Sequence, residues 1–595
     1  MGRSGAAFGH NRLSIVDLSP SGHQPMQSAD KRFVVTYNGE IYNHAEIRAK
    51  LEAAGHTFVS RSDTEVVLHA FKEWGSDAVL QFIGMFAFAI WDEKEQTLEL
   101  VRDRVGVKPL YFGWHDDTLC FGSELKSLRA FSHWKPELNL QALGEYFQYG
   151  YISEDRSIYQ GVHKLLPGHR LRMTRGRSPI IERYWSVLDS RSVHLGGSDQ
   201  QIEADLEELL ISAAKYRMVA DVPVGVYLSG GIDSSLVTAL LAKHHDQRIS
   251  TFTIGFQEDT HDESVWARRV AQHCDTKHTE YILQATEALE IAKDWGSLFD
   301  EPFGDSSGIP TLLVSRLARR EVKVVLSADG GDELFSGYNI YTGVLNRLKR
   351  LQRMPAAMRM MSSAAMSLAA AEPVQGLMSA LSVPGGTIAA RTQRMRRLQS
   401  MFRDPRVGQL FDLDKSYWTK DEIGRLIGGY VSPRGSADTY PGTDADKIGL
   451  WDFHHYLPED ILAKVDRATM AVSIEGREPL LDHRLAEFAV RLPLHLKRGP
   501  LGPKHILKSI LYRHVPRDLL DRRKHGFSIP LDHWLRVELK EMVMDYLSES
   551  RVRAAGLLDW AMVRQLKEDF YAGTRRLKSP LWFMVAFEMW RETWL

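Results

Sequence analysis

The run Ser229-Gly230-Gly231-Ile232-Asp233-Ser234-Ser235 combines small residues with a single carboxylate, and small residues let backbone amides come close to an anion. Residues 222–228 before it read as a short apolar strand, and residues 236–242 after it as the start of a helix. Amides at a helix N-terminus bind phosphate, because unpaired N–H groups and the helix dipole both favour negative charge. Asp233 would repel a phosphate, so its presence points to a bridging Mg²⁺ shared between carboxylate and phosphate oxygens. No lysine follows the glycines, which excludes the phosphate loop of kinases and GTPases. A second apolar run, 322–326, leads into Ser327-Ala328-Asp329-Gly330-Gly331-Asp332-Glu333-Leu334-Phe335-Ser336-Gly337-Tyr338. Crowding Asp329, Asp332 and Glu333 is costly unless a cation or a substrate amine neutralises them. Ligands of open α/β sheets sit beyond the carboxyl ends of strands, so two strands ending in such loops would face one nucleotide.

The S-G-G-x-D-S-S string resembles the pyrophosphate loop of the ATP pyrophosphatases, which cleave ATP between its α- and β-phosphates and adenylylate a substrate. Both loops, with Asp300-Glu301-Pro302-Phe303-Gly304-Asp305-Ser306-Ser307, Leu457-Pro458-Glu459-Asp460-Ile461-Leu462-Ala463-Lys464-Val465-Asp466-Arg467, Glu475-Gly476-Arg477-Glu478-Pro479-Leu480-Leu481-Asp482 and Lys524-His525-Gly526-Phe527, resemble the synthetase domain of the glutamine-dependent asparagine synthases. The resemblance runs in order over nearly the whole chain. It implies that Leu228, Ser229, Gly230, Gly231, Ser234 and Ser235 cradle ATP, that Ile254 at the end of the strand 251–254 touches the adenine, and that Ser327 and Ala328 supply the next contact. It further implies that Asp233 and Asp332 hold Mg²⁺ and pyrophosphate, that Asp329 serves acyl-adenylate formation, and that Arg467 or Lys464 stabilises charge on the phosphates. The family more often has Gly where this chain has Ala328 and Ser336; Ala at a tight phosphate turn needs a negative φ.

A carboxylate is a poor electrophile until its oxygen is turned into a leaving group. Attack on the α-phosphate of ATP makes that group AMP, and ammonia then displaces it. Local ammonia production is the expected task of residues 1–185, which are rich in alternating strands and turns. Residues 33–43 read as a strand, a turn at Asn38-Gly39 and a helix start near Asn43; residues 85–91 and 98–104 read as a strand pair. These strings, with His10-Asn11-Arg12-Leu13-Ser14-Ile15-Val16-Asp17, resemble the family's glutaminase domain, a four-layer αββα sandwich. The resemblance implies a glutamine site of Arg12, Leu13, Ser14, Ile15, Val16, Asn38, Gly39, Glu40 and Asp63. Arg12 would hold the carboxylate, Asp63 the amino group, and Asn38 with Gly39 the oxyanion.

The family's nucleophile is an N-terminal cysteine exposed by removal of the initiator Met, whereas the second residue here is Gly2. The Arg-His-Arg-Gly-Pro-Asp-like stretch expected upstream of Arg12 is also missing. The expectation is a late start or a truncation, an incomplete sandwich, and use of ammonia alone by a chain that begins here. Cys120 reads as a small hydrophobe on a strand and Cys274 as a core residue of an amphipathic helix, neither of them catalytic.

The expected architecture is therefore α/β and α+β: a glutaminase domain over 1–185, a polar linker over 186–199, and from 200–595 a parallel α/β synthetase domain that becomes helical after Gly337. At 595 residues the chain holds more than one core. A net charge of −1 gives no electrostatic case for nucleic acid or an anionic membrane, and two cysteines suit a reducing, cytoplasmic setting. Basic runs at 391–397 and at Arg316, Arg319 and Arg320 read as solvated helix faces. The partners expected are small molecules: ATP, aspartate, and glutamine or ammonia. The resemblance also suggests a homodimer. Relatives of the same architecture amidate other carboxylates, including sugar uronic acids, and the helical insertion at 345–430 is a place for such divergence. A tRNA sulfur-transfer enzyme would need persulfide cysteines near the loop and a basic surface, and a non-catalytic relative would not need Asp233, Asp329, Asp332 and Glu333.

Overall fold

A computed structural model describes residues 5–131, 134, 137–256, 262–283, 285–370, 388–429, 435–520, 529–573 and 577–595. The Lys524-His525-Gly526-Phe527 motif lies outside them.

The N-terminal half is built on two antiparallel sheets. The larger contains β1 (Met26–Gln27), β2 (Phe33–Ile41), β3 (Gly84–Asp92), β4 (Thr97–Arg102), β8 (His169–Thr174) and β9 (Ile180–Arg183), in the order β1-β2-β3-β4-β8-β9. The smaller has the order β6-β5-β7, from β5 (Tyr111–His115), β6 (Thr118–Gly122) and β7 (Val162–Lys164). β3 is an almost unbroken apolar run because both of its faces are covered. On one side Phe86, Phe88 and Ile90 pack with Val66, Val67 and Phe71 of the helix Asp63–Trp74. On the other, Ala87, Ala89 and Trp91 meet Leu110, Phe112 and Leu165 in a core shared by the two sheets. Ser62 caps that helix by accepting from the Thr64 amide, and Gly75 ends it at φ 58°. β2 runs straight through Asn38 and Gly39 to Ile41, so the expected turn there is absent and the chain turns at Tyr42 and Asn43 instead. Cross-strand pairing to β3 along the whole of β2 overrides the local turn preference of Asn-Gly.

The second half is organised by β10 (Val224–Tyr227), β11 (Ser250–Phe256), β12 (Lys277–Leu283), β13 (Val324–Leu326) and β14 (Glu475–Arg477). They form one parallel sheet in the order β12-β11-β10-β13-β14. The chain steps outward from β10 to β12, then returns to the other side of β10. That reversal makes a topological switch point at β10 and β13, and both glycine-rich loops emerge at the carboxyl ends of these strands.

Helices dominate after Gly337, as expected, and the insertion contains helices Asn339–Arg353, Ala356–Ala369, Ile388–Arg403 and Val407–Lys415. The C-terminal helix Lys578–Trp594 lies in the core that both halves contribute to: Trp582, Phe583, Phe587 and Trp590 are buried, and Tyr146 donates to the Phe583 carbonyl at 2.8 Å. Each such side chain contributes roughly 1.5–3 kcal/mol by leaving water. This core also includes Tyr111, Leu125 and Val162, so the two halves share one apolar interior. Among the described residues, no helix is long and apolar enough to cross a membrane.

Candidate functional site

The helix after β10 starts at Ile232 rather than near Leu236, so Asp233, Ser234 and Ser235 occupy its first turn and not a loop. Gly231 is its N-cap and offers no side chain to the helix amides. Gly230 has φ 69°, and a Cβ there would press on Ala267 N at 2.7 Å. Only glycine lets the turn lie against the neighbouring helix. Within the turn the Ser229 and Ser234 hydroxyls are 2.9 Å apart, and the Gly231 amide donates to Ser229 Oγ at 3.3 Å. Ser235 Oγ is buried with no partner among the described residues. Leu228 donates its amide to the Phe252 carbonyl of β11, and Ile254 sits inside that strand, which runs on to Phe256, not at its end.

The second loop lies alongside. The Ser327 amide donates to the Arg477 carbonyl at 2.9 Å, and Ser327 Oγ donates to Asp329 Oδ2 at 2.6 Å. Ala328 has a negative φ, so the absence of glycine does not disturb the turn; Ser336 instead carries the strain, at φ 56°. Its carbonyl is held by Arg498 at 3.0 Å. Gly331, lacking a Cβ, admits the Asp233 carboxyl carbon to within 2.7 Å of where one would be. The two aspartates expected to hold a cation are thereby brought together.

Between them stands Lys504, a residue the motifs did not point to. Its ammonium pairs with Asp233 and, at 2.8 Å, with Asp332. Burial pulls its pKa down, but the two carboxylates more than offset that and raise it, so the ammonium stays charged. Lys504 adopts φ 58°. The signal that could have found it is the Gly-Pro-Lys turn before an apolar helical run, which places a cation at a helix start where dipole logic disfavours it. Lys464 reaches the same region: its ammonium donates to Asp305 Oδ2 and Ser307 Oγ, both at 2.9 Å. Burial raises the pKa of Asp329 against the pull of Lys464, and burial with the Asp332 charge pushes Glu333 up to about 8. Tyr338 donates to Glu333 at 2.7 Å.

Arg467, the other cation of that expectation, has different neighbours. Its guanidinium donates to Asp466 at 2.9 Å and to the Ser123 carbonyl at 3.1 Å, lies 3.6 Å from Asp300, and lines a cavity of the N-terminal half, away from the two ATP-type loops. The helix Ala463–Met470 continues a π-helical stretch, Asp452–Leu462. Lys464 and Arg467 leave it toward different neighbours, Lys464 toward Asp305 and Asp329 and Arg467 toward Asp466 and Asp300.

That cavity, about 810 Å³, is lined by Arg12, Leu13, Ile15, Val16, Asn38, Gly39, Glu40 and Asp63; of the expected glutamine site only Ser14 is not on its wall. Arg12 is engaged more than expected, donating through Nη2 to the Val16 and Asp17 carbonyls at 2.9 and 2.6 Å. Asp63 accepts from the Tyr37 hydroxyl at 2.7 Å and the Ile41 amide at 3.0 Å. Asn38 Nδ2 donates to Ser123 Oγ at 3.2 Å. Glu40 is buried and its pKa is raised by burial and by Asp63, against the pull of Arg477. Gln24, which the motifs missed, accepts from the Tyr37 amide at 2.7 Å and also lines the cavity. Among the described residues, neither Cys120 nor Cys274 does. Cys274 follows its helix rather than lying in it, and burial pushes its thiol up to about 11.

Gly39 has φ 147°, and a Cβ there would strike the Met85 carbonyl oxygen and sit 2.7 Å from Phe86 Cα. Gly39→Ala is expected to destabilise the chain by ~1–3 kcal/mol, because backbone and not a flexible side chain must give way; urea denaturation checks this.

The cavity floor is shared with the other half. Lys108, Asp466, Glu475 and Met470 line it, and buried ion pairs cross the junction: Lys108–Asp466 at 3.0 Å, Lys164–Glu459 at 2.9 Å and Arg477–Glu40 at 3.2 Å.

Against known families, the asparagine synthase model matches residues 205–592. The chain belongs to the asparagine synthase family. A glutamine amidotransferase domain model matches residues 2–185. Asparagine synthetase [glutamine-hydrolyzing] 1 of Bacillus subtilis is 30% identical over 98% of this chain and 89% of its own length. A putative asparagine synthetase [glutamine-hydrolyzing] of Mycobacterium tuberculosis is 32% identical over the same shares. The family's reach includes Amidase chyE of Penicillium rubens, 29% identical over 97% of this chain and 90% of that one. A solved glutamine phosphoribosylpyrophosphate amidotransferase from B. subtilis aligns with 44% of this chain and 65% of that chain at 14% identity, with a TM-score of 0.21, too low to bear on the fold.

Proposed function

We propose that this protein forms an amide from aspartate through a β-aspartyl-AMP intermediate, with ammonia as the attacking nitrogen, delivered as such or released from glutamine. The observation that carries the reading is the meeting of Asp233, Asp329, Asp332, Lys464 and Lys504 at the carboxyl ends of β10 and β13, within a chain of the asparagine synthase family. In this reading Leu228, Ser229, Gly230, Gly231, Ser234 and Ser235 cradle the phosphates, while Ile254, Ser327 and Ala328 bound the nucleotide. Lys504 and Lys464 meet the charge that develops on the α-phosphate and pyrophosphate as the acceptor carboxylate attacks. Asp329 lies within the field of Lys464, and in this reading it serves acyl-adenylate formation.

Asp233 and Asp332 already share one cation, so their donor set fits Mg²⁺ together with phosphate oxygens. Bound there, Mg²⁺ would neutralise the departing pyrophosphate. Arg12, Asn38, Gly39, Glu40 and Asp63 are read as the glutamine site, with Leu13, Ser14, Ile15 and Val16 as the loop that shapes it.

The test is AMP release from ATP by purified protein with aspartate, comparing ammonium and glutamine as nitrogen donors. Aspartate-dependent AMP with matching asparagine is the expected result. Absence of aspartate-dependent AMP from folded protein would move the acceptor to another carboxylate, such as a uronic acid.

A further inference from the structure

We infer that Glu478 is the base that takes a proton from the nitrogen nucleophile on its way into the amidation step. This rests on the amide-forming reading above and assigns a residue to its second half-reaction.

Glu478 directly follows β14 and precedes the turn Pro479–Leu481. It is 4% exposed, and its Oε2 has no hydrogen-bond partner among the described residues. Its Oε1 lies 3.6 Å from where a Cβ on Gly476 would stand, so the side chain folds back along β14 into space a glycine leaves open. The charged and titratable groups facing it are Lys108, Asp329, Arg217, Asp466 and Tyr42, with Glu475 and Arg477 on the strand just before it. Lys108, Asp466 and Glu475 line the floor of the N-terminal cavity, and Asp329 belongs to the second ATP-type loop. The carboxyl thus stands between the place where nitrogen would be released and the place where an acyl-adenylate would form.

The cations nearby are already committed. Lys108 donates to Asp466 at 3.0 Å and Arg217 to Asp482 at 2.5 Å, so Glu478 shares both cations with other carboxylates. Burial, against the pull of Lys108 and aided by Asp329, pushes its pKa up to about 8. A base poised near working pH exchanges protons with ammonium at little cost in either direction. The step balances as follows. Ammonium gives one proton to the Glu478 carboxylate, and the neutral nitrogen's lone pair forms the C–N bond with the acyl carbonyl carbon. The C–O bond to AMP breaks with its electron pair leaving on the AMP phosphate, and the second proton shed by nitrogen passes to water.

Glu478→Gln keeps the shape and removes the base. The variant is expected to retain aspartate-dependent ATP–pyrophosphate exchange within about twofold, while ammonium-dependent amide formation near pH 7 falls by ~10²-fold or more. The deficit should shrink at alkaline pH, where free ammonia is abundant and needs no base. Equal losses in both half-reactions, or a deficit that ignores pH, would overturn the proposal in favour of a structural role. Infrared difference spectra between wild type and variant supply a readout independent of the acceptor. A protonated carboxyl band titrating near about pH 8 and missing from the variant is expected, and its absence overturns the assignment. A wild-type protein that fails to exchange with aspartate counts against that acceptor alone, and the infrared band then decides Glu478.

Discussion

Lys504→Met is expected to cut acceptor-dependent pyrophosphate release by ~10²–10³-fold, the size of effect seen when one preorganised charge is removed from a site of developing negative charge. The ammonium it deletes sits against Asp233 and Asp332, and Lys504 is 5% exposed, so water replaces it poorly. Removing one partner of a buried pair leaves uncompensated charge, which is worse than never having had the pair. Stability should therefore fall along with activity, and Mg²⁺ should restore part of it by taking up the two freed carboxylates. The measurement is the thermal midpoint of wild type and variant with and without Mg²⁺. A larger Mg²⁺-dependent rise in the variant is expected, and equal rises would mean that Asp233 and Asp332 are not the ion's ligands. Lys504→Asn separates backbone from charge, since Asn tolerates the left-handed φ that Lys504 adopts while lacking the ammonium.

What the sequence disclosed about this site and what it hid follow a physical line. Ser229-Gly230-Gly231 and Asp329-Gly330-Gly331 were legible because their geometry is local: glycines with left-handed φ, a strand before and a helix after. The helix start at Ile232 was missed because Asp233, Ser234 and Ser235 look like loop residues, yet short polar side chains are also at home in a first helical turn. The Gly-Pro-Lys turn marks Lys504 only as a cation at a helix start; its partner was hidden, because it meets Asp233 across 271 residues of chain. The resemblance offered Arg467 or Lys464 as the phosphate partner, but a long side chain chooses its partner by tertiary packing, and Asp466, Asp300 and the Ser123 carbonyl took Arg467. The two halves were separable on the page through their strand patterns, whereas the shared core of Tyr111, Val162 and Trp582 was not, since apolar periodicity says that a face is buried and not against what.

Arg477→Met is expected to destabilise the protein by ~3–5 kcal/mol and to impair glutamine-dependent turnover more than ammonium-dependent turnover. The guanidinium is fully buried and fans out to four acceptors: Glu475 at 2.7 Å, the Arg217 carbonyl at 2.9 Å, the Val219 carbonyl at 2.6 Å and Glu40 at 3.2 Å. Its own carbonyl accepts from the Ser327 amide, so one residue touches both the cavity wall and the second ATP-type loop. Glu40 depends on it: the Oε1 of Glu40 has no partner among the described residues, and burial with Asp63 already raises its pKa. Without Arg477 that carboxyl should hold its proton and leave its place on the cavity wall. Arg477→Lys keeps a charge but not the planar fork, so it should recover only part of the loss. A double-mutant cycle with Glu40→Gln, measured by chemical denaturation and by turnover on each nitrogen donor, separates the pair from its surroundings. The cycle should close with a coupling of ~1–3 kcal/mol, because once Glu40 carries no charge the guanidinium has less to neutralise. Additive losses would mean that the cavity wall and the ATP-type loop are held by packing alone, and that the Glu40–Arg477 contact transmits nothing between them.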